Sequence, residues 1–330
     1  MTASLAPTTD SVDSRAAFYQ QRPDSAQHID LSVMIGSLRL SNPVMPASGC
    51  FGPELGRLIP AEELGAAVTK TVFSEPRGGN LAHRLTEIPA GMVNSVGIPS
   101  QGPIGYLTHL HHAYESLGIP TIISVGGHRP SEYASVVAGL RGRGSALELN
   151  VSCPNLDRDG MDIGADPDAI VEVVRQVRQE TDLPLIVKLS PMVPSISVCA
   201  QAAESAGASA VCVSNSLPSL PIDPLTHQPA LGNIIGGLSG PSVRPIVLRL
   251  VWQSAKAVQI PVIACGGIDT VDDALEYFSV GASAVQVGTA NFGRPFAMVQ
   301  IARELSALSK NLGASSMRDL VRLWRNDSEA

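Results

Sequence analysis

The chain is 330 residues long, 44% hydrophobic and 16% charged, with a formal net charge of −7. That composition can bury a sizeable core, in one large domain or two ordinary ones, and it excludes a chain disordered throughout. Scattered basic residues argue against a nucleic-acid partner, and no apolar run approaches the roughly 20 residues of a membrane span.

Residues 1–30 are polar and lack the apolar core of a signal peptide, so they read as a mobile leader. A single domain is expected over 31–330, at a cytoplasmic address. Eight short β-branched runs follow: "NPVMPAS" (42–48), "GAAVTKTV" (65–72), "PTIISVGG" (120–127), "ALELNVS" (146–152), "LPLIVKLS" (183–190), "ASAVCVSN" (208–215), "IPVIACGG" (259–266) and "ASAVQVGT" (282–289). Helix-like stretches at 166–181, 197–208 and 270–282 alternate with them. Strands alternating with helices form βαβ units and a parallel sheet. Eight such units in one domain fit an α/β TIM (β/α)8 barrel better than an open doubly wound sheet. The segments 73–118 and 217–245 are then insertions at the carboxyl-terminal rim.

Nearly every run ends in a small or polar residue: Ser48, Lys70, Ser124, Asn150, Lys188, Asn215, Gly266 and Gly288. One such ending is an ordinary turn. Eight on one rim point to a shared site, because barrel active sites are built there. "ACGGID" and "QVGTAN" put glycines at the last two strand ends, where barrels commonly hold a phosphate on backbone N–H groups near a helix start. No GxGxxG follows a strand, so a Rossmann site is not indicated; a phosphate-bearing cofactor in a barrel suggests FMN. Lys70 and Lys188 close apolar strands, as snorkelling side chains or as buried charges with a role beside a flavin ring.

The five cysteines are widely spaced, with no CxxC pair, so neither a disulfide framework nor a self-contained metal site is indicated. Cys199 and Cys212 lie among Ala and Val and read as core. Cys153 differs. It sits in "LNVSCPN", where an apolar strand breaks into a polar turn with Asn150 and Asn155 on either side.

From about residue 31 to 300 the chain resembles the class 1 dihydroorotate dehydrogenases, through "ASGCFG", "VTKT", "GMVNSVGIPSQG", "LNVSCPN", "VKLSP", "SNS", "GGLSGPSVRPIVLR", "GGI" and "ASAVQVGTANF". "GGLSGP" and "QVGTANF" are most similar to the NAD-linked class 1B branch. The resemblance implies a TIM barrel carrying FMN that oxidises dihydroorotate to orotate in pyrimidine biosynthesis. It makes Cys153 the base that removes the C5 proton while hydride leaves C6 for the flavin N5, with Lys70 near both flavin and substrate. Substrate contacts fall to Asn94, Ser95, Val96, Gly97, Ile98, Asn150, Asn155, Asn215 and Ser216. FMN contacts fall to Ser48, Lys70, Thr71, Ser124, Asn150, Lys188, Ser214 and Gly240, and its phosphate to Gly266, Gly267, Gly288 and Thr289. A homodimer and a separate electron-transfer subunit carrying FAD and a [2Fe–2S] cluster are further expectations, with no metal in this chain itself.

The chain departs from the family pattern at "SVGG", where Ser124 replaces an Asn, and at "NSLPSLPID" and "MVNSVGIPSQG". A second expectation therefore keeps the fold and FMN but changes the substrate to another dihydropyrimidine or cyclic amide. A third is an FMN-binding scaffold without catalysis, against which the intact Asn150–Cys153–Asn155 loop speaks. The electron acceptor (NAD through a partner, fumarate, or another oxidant) is left open.

Overall fold

A computed structural model describes residues 30–152 and 163–324. It divides into two compact units, one Ser32–Ala302 and the other, among the described residues, formed from those before Ser32 together with those from Arg303 onward. The second contains the helix Met317–Trp324 and a bridge between Asp30 and Ser316.

The larger unit opens with a hairpin, β1 (Val33–Ile35) and β2 (Leu38–Leu40), followed by β3 (Val44–Pro46), β4 (Ala67–Val68), β5 (Leu85–Ile88), β6 (Gly91–Asn94) and β7 (Thr121–Val125). Next come β8 (Ala146–Asn150), β9 (Leu185–Leu189), β10 (Ala210–Val213), β11 (Leu217–Ser219), β12 (Gly236–Ser239), β13 (Val262–Cys265) and β14 (Ala284–Val287). Eight of these form one parallel sheet in the order β3–β14–β13–β10–β9–β8–β7–β4. The Gly65 N–H donates to the Val44 carbonyl at 2.8 Å, drawing the two edge strands together into a nearly closed barrel. These strands are the eight apolar runs of the sequence.

Burial explains why those runs carry so strong a signal. In β7, β8 and β9 every residue is buried, since a barrel strand faces side chains on the inside and helices on the outside. The outer layer includes helix Pro167–Arg178, which turns Ala169, Ile170, Val173, Val174 and Val177 inward behind an Asp166 cap. Helix Val271–Ser279 starts in a capping box between Thr270 and Asp273.

Alternation along the strands sorts the barrel interior into layers. Met45, Val68, Ile122, Ala146, Ile186, Ala210, Ile263 and Ala284 form an apolar layer with Ile35 and Leu40 of the amino-terminal hairpin. The sequence reading did not anticipate that hairpin. Two residues further along the same inward faces come Glu148, Lys188, Cys212, Cys265 and Gln286, a layer of a different kind. The two expected insertions meet in a four-stranded antiparallel sheet of order β11–β12–β6–β5, also unforeseen.

Candidate active site

The carboxyl ends of the barrel strands and the four-stranded sheet line a cavity of about 360 Å³, a volume suited to a small ligand. Its lining includes Ser48, Lys70, Thr71, Asn94, Ser95, Val96, Gly97, Ile98, Asn150, Lys188, Ser214, Asn215, Ser216, Gly240, Gly266, Gly267, Gly288 and Thr289. Cys153 and Asn155 lie outside the described residues. Ser124 alone among the described candidates does not reach the cavity. Its hydroxyl is fully buried and bonded to Thr71 Oγ1 at 2.9 Å, so it stands behind Thr71 rather than beside a ligand.

One wall is a connected set of amides and hydroxyls. Asn150 Nδ2 donates to Thr71 Oγ1 at 3.3 Å, and its Oδ1 accepts from Ser152 Oγ at 2.8 Å. Asn215 Nδ2 donates to the same Ser152 Oγ at 2.9 Å, and the Tyr133 hydroxyl holds the Asn150 carbonyl at 2.9 Å. Ser152 was not singled out from sequence, yet it joins the two asparagines next to Cys153. Opposite, Asn80 steadies the 95–98 loop, donating from Nδ2 to Ser95 Oγ at 2.8 Å and from its backbone N–H to the Val96 carbonyl at 3.0 Å.

The far end is backbone. Gly240, Gly266 and Gly267 take φ of +100°, +154° and +70°, a region that side chains rarely adopt. Among the described residues the backbone N–H groups of Gly267 and Thr289 have no hydrogen-bond partner. Unpartnered donors on two neighbouring strand-end turns suit a phosphate. Just before the nearby helix, Asp273 Oδ2 accepts from the N–H groups of both Asp269 and Thr270 at 2.9 Å, so those two donors are taken. The glycine turns leave a backbone cradle open at this end.

Between these ends the barrel presents its charged layer. Lys188 Nζ donates to Gln286 Oε1 at 3.1 Å and to Cys265 Sγ at 3.6 Å, and lies 4.0 Å from Glu148 Oε1. Burial alone would lower the Lys188 ammonium, but Cys265, Glu148, Cys212 and Cys50 together hold it above its usual range. Burial does lower Lys70, against the pull of Cys50. Burial and the neighbouring Cys265 push the Cys50 thiol up to about 11, whereas a hydrogen bond with Cys212, reinforced by Lys188, draws Cys265 down to about 7. Cys50, Cys265, Glu148 and Gln286 were not candidates from sequence. For the last two a signal existed, since a carboxylate and an amide in "ALELN" and "AVQV" interrupt strands that are otherwise apolar.

A barrel rim with a glycine cradle at one end, an amide wall at the other and a buried cation between them defines an enzyme site for a phosphate-bearing cofactor and a small polar substrate. A family model described as dihydroorotate dehydrogenase matches residues 30–308. Among similar proteins is the dihydroorotate dehydrogenase B (NAD(+)) catalytic subunit of Trichlorobacter lovleyi, 43% identical over 295 residues, covering 88% of this chain and 97% of that one. The correspondingly named subunit of Pelobacter propionicus is 42% identical over 296 residues, covering 88% and 97%. That of Geobacillus kaustophilus is 41% identical over 305 residues, covering 91% and 97%. The chain belongs to the dihydroorotate dehydrogenase family of oxidoreductases. Among its described residues, no helix is long and apolar enough to cross a membrane.

Proposed function

We propose that this chain binds FMN and oxidises dihydroorotate to orotate, as the catalytic subunit of an NAD-linked enzyme in pyrimidine biosynthesis. The observation that carries this reading is a single cavity that gathers an unpartnered backbone cradle, a buried lysine and a set of amides leading directly into the Cys153 loop. FMN, when bound, supplies the hydride acceptor. The cradle at Gly240, Gly266, Gly267, Gly288 and Thr289 would hold its phosphate, and Lys188 and Thr71 would face its ring.

Asn94, Asn150, Asn155, Asn215 and Ser216 would bind the substrate. A dihydropyrimidine presents amide N–H and C=O edges, and each asparagine offers both donors and an acceptor. Cys153 would take the C5 proton. Only a few per cent of an ordinary thiol is ionised at neutral pH, so this base depends on its surroundings, and flavin reduction should accelerate with pH until the thiolate saturates. The relatives' names as catalytic subunits support a separate electron-transfer partner, for which FAD and a [2Fe–2S] cluster are the proposed cofactors, around a homodimer of this chain.

Stopped-flow bleaching of the flavin by dihydroorotate under anaerobic conditions tests the reading. Cys153→Ala should keep FMN and bind orotate, yet slow reduction by about 10² to 10⁴, the usual worth of a placed general base. Protein that cannot be reconstituted with FMN, or FMN-loaded wild type that dihydroorotate does not bleach, would overturn it.

A further inference from the structure

The charged layer beneath the cavity contains a carboxylate for which the reaction just described has no use. Glu148 is wholly buried, and among the described residues its Oε1 accepts no hydrogen bond. Its other oxygen, Oε2, accepts from Gln286 Nε2 at 2.5 Å, and Gln286 Oε1 in turn accepts from Lys188 Nζ at 3.1 Å. The orientation of the Gln286 amide is dictated by its neighbours: a carboxylate can only accept and an ammonium can only donate.

A buried ion pair of this kind is weak as a stabilising device. Desolvation of both charges offsets much of their attraction, and apolar residues of similar volume commonly do as well. The next layer down shows that this barrel can be filled with Ala, Ile and Met. A carboxylate kept one layer higher, with one oxygen turned to an ammonium 4.0 Å away, calls for another explanation.

We propose that Glu148, acting partly through Gln286, is a positioning residue that keeps Lys188 protonated and aimed into the cavity, so that the cofactor meets a fixed positive charge whatever the pH. This rests on the flavin reading above. The groups facing Lys188 are Glu148 on β8, Cys212 on β10, Cys265 at the end of β13, Gln286 on β14 and Cys50 after β3. Of these Glu148 is the one carboxylate. Gln286 and Cys265 occupy two of the ammonium's protons, leaving the third for the cavity that Lys188 lines. Without the carboxylate, burial, which favours the neutral amine, is opposed chiefly by the Cys265 thiol.

The test is the midpoint potential of FMN bound to the full chain, followed from pH 8 to pH 10, above the range in which the Cys265 thiol titrates. In wild type Lys188 should stay charged in both redox states, so the slope against pH should be that of the flavin alone. In Glu148→Gln, which keeps the shape and the bond to Gln286, Lys188 should titrate within the range. Reduction should then take up one additional proton per two electrons over at least a pH unit. The double variant Glu148→Gln/Lys188→Met should return to the wild-type slope.

A purely structural role would lower stability or flavin content in Glu148→Gln but leave the proton count unchanged, and an unchanged count would overturn the proposal. So would an extra proton in wild type, a measurement that needs no variant to fold, or one that persists in the double variant. Failure of wild type to bind FMN would instead remove the flavin reading on which the proposal stands.

Discussion

The cavity has two walls built by different rules. The barrel wall is made of parallel strands buried on both faces, and its inward side chains come from layers fixed by the strand period. The opposite wall is the antiparallel sheet β11–β12–β6–β5, half exposed, in which Asn94 pairs with Gly237 across 143 residues. Leu85, Met92, Asn94, Gly237, Leu238 and Ser239 reach the cavity from it. The barrel wall brings the charge and the backbone cradle, and the sheet brings a surface shaped by close approach. Changes in the glycine turns and charged layer of the first should therefore act on the cofactor, and changes in the second on the substrate, which the asparagines of the barrel rim also meet.

The sharpest way to break this division is at Gly267. A side chain there would be strained at φ +70°, and its Cβ would lie 2.8 Å from Arg244 Cβ and 2.9 Å from the Gly240 carbonyl. Gly267→Leu should displace the cradle and lower the FMN content of the purified protein more than about tenfold, since strain and overpacking here add to several kcal/mol. Flavin absorbance per chain measures it. Near-normal occupancy would show that the glycine turns do not hold the phosphate.

The matching change in the sheet is Gly237→Ala. The new Cβ would collide with Ser216 Oγ, a side chain proposed to touch substrate, while the glycine turns after β13 and β14 are untouched. FMN content should hold, and KM for dihydroorotate should rise by roughly 10- to 100-fold, in line with the penalty for misplacing a binding group by about an ångström. Loss of flavin with an unaltered KM would reverse the roles assigned to the two walls.

A smaller effect separates two thiols within the barrel wall. Cys265 is drawn down to about 7 and Cys50 pushed up to about 11. In the FMN-free protein, alkylation of Cys265 should climb with pH through about 7 and then level off, while Cys50 should still be accelerating at pH 9. At pH 8 the thiolate fractions differ by about 10³, but low-pKa thiolates are weaker nucleophiles, so Cys265 should react only about tenfold faster. Peptide mapping after brief iodoacetamide treatment reads this ratio, and FMN should protect Cys265.

The same contrast governs what could be read from the sequence. The barrel strands were legible because burial on both faces turns them into nearly unbroken apolar runs with polar ends. Glycines at β13 and β14 likewise marked the cradle. The sheet was not legible: β5 and β11 are three or four residues long and half exposed, and β12 is "GGLS", which carries no strand signal of its own. Its glycines are explained by what packs on them in the fold, since a Cβ at Gly236 would lie 2.5 Å from Leu231 Cδ1 and 2.8 Å from the Asn94 carbonyl. Glu148 and Gln286 were visible as misfits in apolar strands, but their meeting with Lys188 depends on barrel closure.

Ser124 offers the finest test, because sequence reasoning placed it against the flavin and the structure places it one residue behind. Its hydroxyl meets Thr71 Oγ1, which also takes the Asn150 Nδ2 donor at 3.3 Å and lies 3.4 Å from Ser48 Oγ. Ser124→Ala would remove one partner from a threonine that keeps two others. A neutral buried hydrogen bond is worth about 1 kcal/mol net, which is about fivefold in a binding constant if all of it reached the ligand. Acting through Thr71, the change should weaken FMN binding by less than about fivefold and leave the flavin spectrum nearly unaltered. Ser124→Asn should be the worse variant, since a fully buried site with no opening to the cavity must accommodate extra volume and an amide with nothing arranged to receive it. If Ser124→Asn instead tightened FMN binding and shifted its spectrum, the side chain would reach the ring after all, and the boundary drawn here between lining and supporting residues would move outward by one layer.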